Sequence, residues 1–364
     1  MRVKFLILGL ASVALLASSV GYVAVGSRLY QSYHSTYATY QFAPAGPCGA
    51  LIAWSPPPSL YVGLYANSGP LTTIRFRSQV PQTLHLSLTV PQVTQSEIVD
   101  VDAAPSFQQV SFKPPLVAMS ALDAWVGPNQ RADQILLRVT SDQGTICTVS
   151  SPVQIRSRYW MHWDDVASGG DSGDLAGWVT PYAPAVVTLV GQSASWMHNH
   201  PALYPGTPAL FGYNDGHASV QDVRNQVNAI FDTLQSVYRV HYASDNPVYS
   251  GDQRIQLPQD ILSNPAPTGM CLETTAIMAS AVEYLGMHPY IIIVPGHAYL
   301  GVATGPQLGA SVEYWETSYL NGSYTGSQAN VGGDEEYATD AAAGRILQRI
   351  DILYERGLGI EPIE

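Results

Sequence analysis

The chain has 364 residues, 46% of them hydrophobic and only 12% charged, with a formal net charge of −12. That length holds two or three domains with real cores, and its charged share is about half of the roughly 25% usual in globular proteins. Lys4 and Lys113 are the only lysines and there is no basic run, which argues against nucleic acid and anionic membrane surfaces as electrostatic partners. A surface with few ionisable groups loses little on acidification, which suits an exported protein.

Arg2 and Lys4 precede an uncharged stretch over residues 5–27, long enough to cross a bilayer at about 20 residues. Positive charge ahead of such a stretch places the body of the chain outside. Ala17-Ser18-Ser19 and Ala24-Val25-Gly26 both offer the small residues that a signal peptidase reads, so residues 1–27 are a signal peptide or a retained membrane anchor. The expected location is extracytoplasmic, secreted or membrane-anchored. Residues 28–45 are rich in Tyr and Ser and form a spacer.

From 46 to 156 the pattern is short alternating segments separated by Pro, Gly, Asn and Asp. TTIRFRSQ, TLHLSLTV, QQVSFK, QILLRVTS and TICTVSS each have the period of a half-buried strand, and none of the region keeps helical periodicity for three turns. Strands at this spacing predict an all-β sandwich of immunoglobulin-like size. Cys48 and Cys147 lie near its two ends and are the pair that an oxidising compartment would join, other pairings staying open. Cys271 would then be the odd thiol.

Residues 157–364 carry mixed signals and predict an α+β domain with helices to one side of an antiparallel sheet. Val220, Val223, Val227, Ile230, Phe231, Leu234 and Val237 fall at helical spacing. A second helix is predicted over residues 271–285, closed by Gly286. Strands follow, one running through YIIIV and PGHAYLGVA and another in SVEYWETSYL. NGSYTGSQANVGGD is expected as a polar loop, and AAAGRILQRIDILYERG as a C-terminal helix.

The chemistry concentrates in Cys271, His297 and Glu316. A thiol attacks well only as thiolate, and a helix N-terminus supplies partial positive charge and free N–H groups to favour it. Pro265, Pro267 and Gly269 break the chain just before Cys271, and good helix formers follow. A histidine completes activation and a third polar group fixes its ring. Antiparallel neighbouring strands would bring Glu316 alongside His297, with the helix end carrying Cys271 across from both.

Gly269-Met270-Cys271-Leu272-Glu273, Pro295-Gly296-His297-Ala298-Tyr299 and Trp315-Glu316-Thr317 together resemble the transglutaminase-like superfamily, whose fold is a rearranged relative of the papain type. The resemblance spans roughly residues 178–320. Gln253-Arg254-Ile255-Gln256-Leu257-Pro258 looks like the segment that precedes the cysteine in bacterial members, and by that likeness Gln253 is the side-chain oxyanion donor. Glu in place of Asp as third member occurs in bacterial relatives. No calcium signature of the animal enzymes is present.

These residues imply an exported cysteine protease or amidase working through a thioester, with hydrolysis favoured over cross-linking and a protein or peptide as substrate. No cofactor or metal is implied. The rival reading is a non-catalytic cell-envelope binding module, with the sandwich holding an envelope component and the second domain a degenerate transglutaminase-like scaffold. A metal-dependent hydrolase using His198, His200 and His217 is a further rival, weakened because no cysteine or ordered carboxylate completes the set. Asp171-Ser172-Gly173-Asp174 and Asp334-Glu335-Glu336 read as solvated loops, and Glu273 as a helix-dipole carboxylate.

Overall fold

Alternation in the N-terminal half does become strand structure. The computed structural model describes residues 51–363 except 55, 79, 143, 165, 167, 168, 245, 246 and 248. The N-terminal stretch over 1–27, the spacer and Cys48 lie outside the described residues. Among the described residues no helix is long and apolar enough to cross a membrane. The architecture is multi-sheet α+β.

Strands β1 (Leu51–Trp54), β2 (Ser59–Tyr61), β3 (Thr72–Arg77), β4 (Gln82–Thr89), β5 (Glu97–Ala103), β6 (Gln108–Phe112), β7 (Gln130–Ser141) and β8 (Gly144–Arg156) form two sheets. One has the order β1-β3-β6 and the other β2-β8-β7-β4-β5. In β4, Leu84, Leu86 and Leu88 are fully buried and their neighbours only partly so, the pattern of a sheet with one wet face. A short helix, α1 (Met119–Val126), interrupts the strands.

The chain divides into two compact units. The first holds residues 68–122 and 131–155 with the strands before 60, while the second takes residues 156 onward together with 61–67 and 123–130. Sequence reading places those two short segments in the first domain. They belong to the second because Val62 N–H donates to the Arg156 carbonyl at 3.0 Å and Ser157 N–H to the Asn129 carbonyl at 3.2 Å. A Cβ on Gly63 would also stand 2.8 Å from the Arg158 carbonyl oxygen.

In the second unit β9 (Trp160–Trp163) is followed by α2 (Pro184–Asn199) and α3 (Val220–Thr233). Helix α2 starts with Pro at its first position, where the missing N–H costs nothing, and His198 lies in its last turn. Helix α3 is opened by a Ser219–Asp222 capping box. Its Val223, Val227, Ile230 and Phe231 are fully buried, whereas Val220 is exposed. Strands β10 (His241–Tyr242), β11 (Gly251–Arg254) and β12 (Thr268–Gly269) and the single turn α4 (Pro258–Leu262) lead to α5 (Cys271–Tyr284).

Helix α5 is the centre of the unit. Every residue from Cys271 to Val282 is buried, the polar Glu273, Thr274, Thr275 and Ser280 included. It packs on β13 (Pro289–Val294) and β14 (His297–Ala303), which belong to a four-stranded sheet of order β15-β14-β13-β16, with β15 (Val312–Trp315) and β16 (Gln348–Asp351) at the edges. Both faces of this sheet are covered. Ile291, Ile293, Leu300 and Trp315 join the α5 core, while Tyr290, Ile292, Tyr299 and Tyr314 form a second cluster with Tyr337. The six buried residues of β13 read as an unbroken apolar run for that reason.

Three expectations fail here. YIIIV and PGHAYLGVA are not one strand but a hairpin, because Pro295 and Gly296 (φ +71°) supply the residue pair of a type II turn. NGSYTGSQANVGGD is largely helix α6 (Gly326–Ala342), opened by a Thr325–Gln328 capping box. The expected C-terminal helix is instead the end of α6, then β16, then the short α7 (Ile352–Gly357). Ile350 pairs with Ile291, so the apolar residues taken for a helical face are those of an edge strand.

Candidate active site

Cys271 is the first helical residue of α5 and the free thiol among the described residues. Cys147 is disulfide-bonded. Glu273 holds the helix start in place, accepting the Met270 N–H at 3.0 Å and the Gln256 N–H at 2.7 Å. This carboxylate therefore clamps the segment after β11 to the helix carrying the thiol, beyond any dipole effect, and burial raises its pKa. As the first residue of the helix, Cys271 has its N–H among those without an intrahelical acceptor.

The hairpin delivers His297 as the first residue of β14. Tyr249, buried, donates its hydroxyl to the His297 carbonyl at 2.6 Å and so fixes the backbone at that point. Burial pushes the Tyr249 phenol up, and the Cys271 charge adds to this. Trp163 supports the Tyr249 ring edge-on at 5.1 Å.

Glu316 follows β15 directly. Neither it nor Ser318 continues the strand of Tyr314, because its carboxylate draws the chain into a turn, accepting the Ser318 N–H at Oε1 over 2.7 Å. Oε2 lies 2.8 Å from His297 Nε2. That bond leaves Nδ1 as the ring nitrogen available to the thiol. The Thr317 hydroxyl donates to the Cys271 carbonyl at 3.3 Å, and the Thr274 hydroxyl donates to it at 3.0 Å. These hydroxyls tie the residue after the acid to the residue bearing the thiol.

The electrostatics are those of a coupled trio. Burial works against a charged imidazole, yet hydrogen bonding to the Cys271 sulfur and to Glu316 outweighs it and raises His297 to about 10. Burial likewise works against a charged Glu316, but hydrogen bonds from His297, Glu336 and the Ser318 N–H hold it down to about 2. Cys271 is 0% and Glu316 2% exposed, while the His297 side chain keeps 19% of its surface in water.

Gln253 lies on β11, opposite Met161 of β9. Its Nε2 donates to the Met270 sulfur at 3.6 Å, and its Oε1 is buried without a hydrogen-bond partner. The carboxamide therefore stands beside the residue preceding Cys271.

Glu336 belongs to a helix and not to the solvated loop that its acidic neighbours suggest. It lies on α6, with Oε1 3.9 Å from His297 Nε2. His297, Glu316 and Glu336 are the group of three whose ligand atoms all fall within 4.8 Å of one another among the described residues. His297 Nε2 and Glu316 Oε2 are already hydrogen-bonded to each other, and three donors fall short of a closed tetrahedral metal shell. His198, His200 and His217 form no such group. His200 instead stacks on Trp196 at 3.9 Å.

The arrangement is a thiol at a helix N-terminus, an imidazole against it and a carboxylate holding that imidazole. Such a set can transfer a proton from sulfur and return it to a leaving group. No family model and no curated protein matches the chain.

Proposed function

We propose that this chain is an exported thiol acyl-transfer enzyme, its second unit a transglutaminase-like domain and its first an immunoglobulin-like sandwich. The observation that carries the reading is His297 hydrogen-bonded to Glu316 at 2.8 Å, with its pKa raised by the Cys271 sulfur as well as by Glu316. The Cys271 sulfur attacks a carboxamide or peptide carbonyl carbon, and its proton passes to His297. The Cys271 N–H and the Gln253 carboxamide donate to the oxyanion. Collapse expels the amine, which takes the His297 proton, and leaves a thioester. Water then attacks with His297 as base, releasing the acid and restoring the thiol. Glu316 orients the imidazole throughout.

Hydrolysis is favoured over cross-linking because no residue marks an amine site. The substrate is a protein or peptide, and the sandwich would hold a cell-envelope component. The test is a glutamine-containing peptide incubated with and without a primary diamine. Ammonia release with conversion of Gln to Glu, abolished in Cys271→Ala, is the expected result. Incorporation of the diamine would reassign the enzyme as a cross-linker.

Full burial of Cys271 favours the second reading, a non-catalytic envelope module in which the thiol packs as a small apolar group. It predicts no turnover and a thiol indifferent to His297.

A further inference from the structure

Helix α6 reaches the triad by an unusually close approach to the edge strand β15. A Cβ on Gly333 would stand 2.5 Å from the Trp315 nitrogen and 2.6 Å from the Tyr314 carbonyl carbon. Only a glycine lets the two backbones lie so near. Side chains of α6 then satisfy the strand edge: Asn330 Nδ2 donates to the Tyr314 carbonyl at 2.9 Å, and the Tyr314 N–H donates to Asp334 Oδ1 at 2.9 Å. The Glu316 N–H itself donates to the Ala329 carbonyl at 2.9 Å. These bonds fix the helix in register, so that Glu336 projects at the end of the strand where Glu316 stands.

Carboxylate oxygens of Glu336 and Glu316 lie within 4.8 Å of each other, and two carboxyls so close cannot both ionise cheaply. Glu316 is already bonded to His297 and to the Ser318 N–H, so it keeps the charge and Glu336 the proton. Burial first, then the hydrogen bond and charge of Glu316, push Glu336 up to about 8. The other groups facing it are His297, which opposes the rise, Asp340 on its own helix, and the Tyr299 and Tyr319 phenols. Asp340 is paired with Arg345.

We propose that Glu336 is a positioning residue that extends the triad to a tetrad, its carboxyl O–H donating to Glu316 and leaving one negative charge to face the imidazole. This rests on the acyl-transfer reading. Above its titration Glu336 becomes a second anion, loses the donated hydrogen bond and over-stabilises the imidazolium, so proton return to the leaving amine slows.

The test compares wild type, Glu336→Gln, Glu336→Ala and His297→Ala for peptide amidase activity and Cys271 alkylation across pH 6 to 10, with circular dichroism confirming the fold. Glu336→Ala should lose activity by about 10- to 100-fold, the range for a residue that orients a catalytic ligand. Glu336→Gln still offers an N–H to Glu316; it should recover most of that loss and lack the alkaline decline near pH 8. An unchanged pH profile in Glu336→Gln, with His297→Ala inactive, overturns the tetrad and leaves the triad standing. An unaffected His297→Ala removes the acyl-transfer reading and the tetrad with it.

Discussion

At His297 burial and hydrogen bonding pull in opposite directions, and hydrogen bonding wins. The folded-state pKa is raised from 6.5 to about 10. Its contribution to stability is therefore complete below about 6.5 and is lost as pH rises through about 10. Glu316 runs the other way: its pKa falls from 4.5 to about 2, so its contribution is complete above 4.5 and is lost as pH falls through about 2. The pair is strongest between these limits. Replacing Glu316 by Gln keeps the shape but removes the charge facing His297; turnover should fall about 10- to 100-fold, measured as ammonia release at pH 7. Tyr249→Phe deletes one hydrogen bond to the His297 carbonyl and should cost about 1 kcal/mol of stability, read from denaturant midpoints. Retention of full stability would mean that the hydroxyl does not hold the hairpin.

At the scale of elements, the close contact of α6 with β15 is what assembles the acid end of the site. Gly333→Ala places a methyl group against strand backbone that cannot move aside, and overpacking of this kind costs about 1–3 kcal/mol. Thermal denaturation should show the loss, and activity should fall with it because Glu336 and Glu316 share the displaced register. The same helix shows why part of the site escaped the sequence. Cys271, His297 and Glu316 were legible because each sits beside a punctuating signal: a Pro/Gly break before a helix, a Pro-Gly turn, an aromatic strand. Helix α6 carries no apolar stripe, since its buried positions are Gly326, Ala329, Asn330, Gly333 and Asp340. Ala329, Asn330 and Gly333 bury against the end of β15, Gly326 against α3 and Asp340 by pairing with Arg345, and hydrophobic periodicity cannot register that. The residues of β16 misled for a different reason: RILQRIDIL has apolar spacing compatible with helix, and only its pairing with β13 makes it a strand. Tyr249 and Thr317 act through a hydroxyl across long sequence separations, for which no local pattern exists.

Over the second unit as a whole, raised carboxyls accumulate. Glu355 is pushed up to about 7 by burial and by Asp171, Asp174 and Asp351, and its Oε2 has no hydrogen-bond partner. Asp174 rises to about 6 by burial and the charge of Asp171 and Asp164. With Glu336 and His297 also raised, the native state binds more protons than the unfolded chain through the neutral range. A group raised in this way contributes stability below its unfolded value and loses it as pH climbs through its folded one. The melting temperature followed by tryptophan fluorescence should therefore be highest in mildly acid buffer and fall steadily from pH 6 to pH 9. Six of the seven tryptophans lie in this unit, so the signal reports it. A flat or rising curve over that range would mean that these raised groups do not govern the stability of the unit.

Activation of Cys271 by His297 is read from the rate of iodoacetamide labelling at Cys271 against pH, in wild type and in His297→Ala. Labelling should be rapid at pH 6 to 7 in wild type and about 10-fold or more slower when the imidazole is removed. A slow rate that rises only at alkaline pH and does not change with the mutation would mean that Cys271 is a packed, structural thiol.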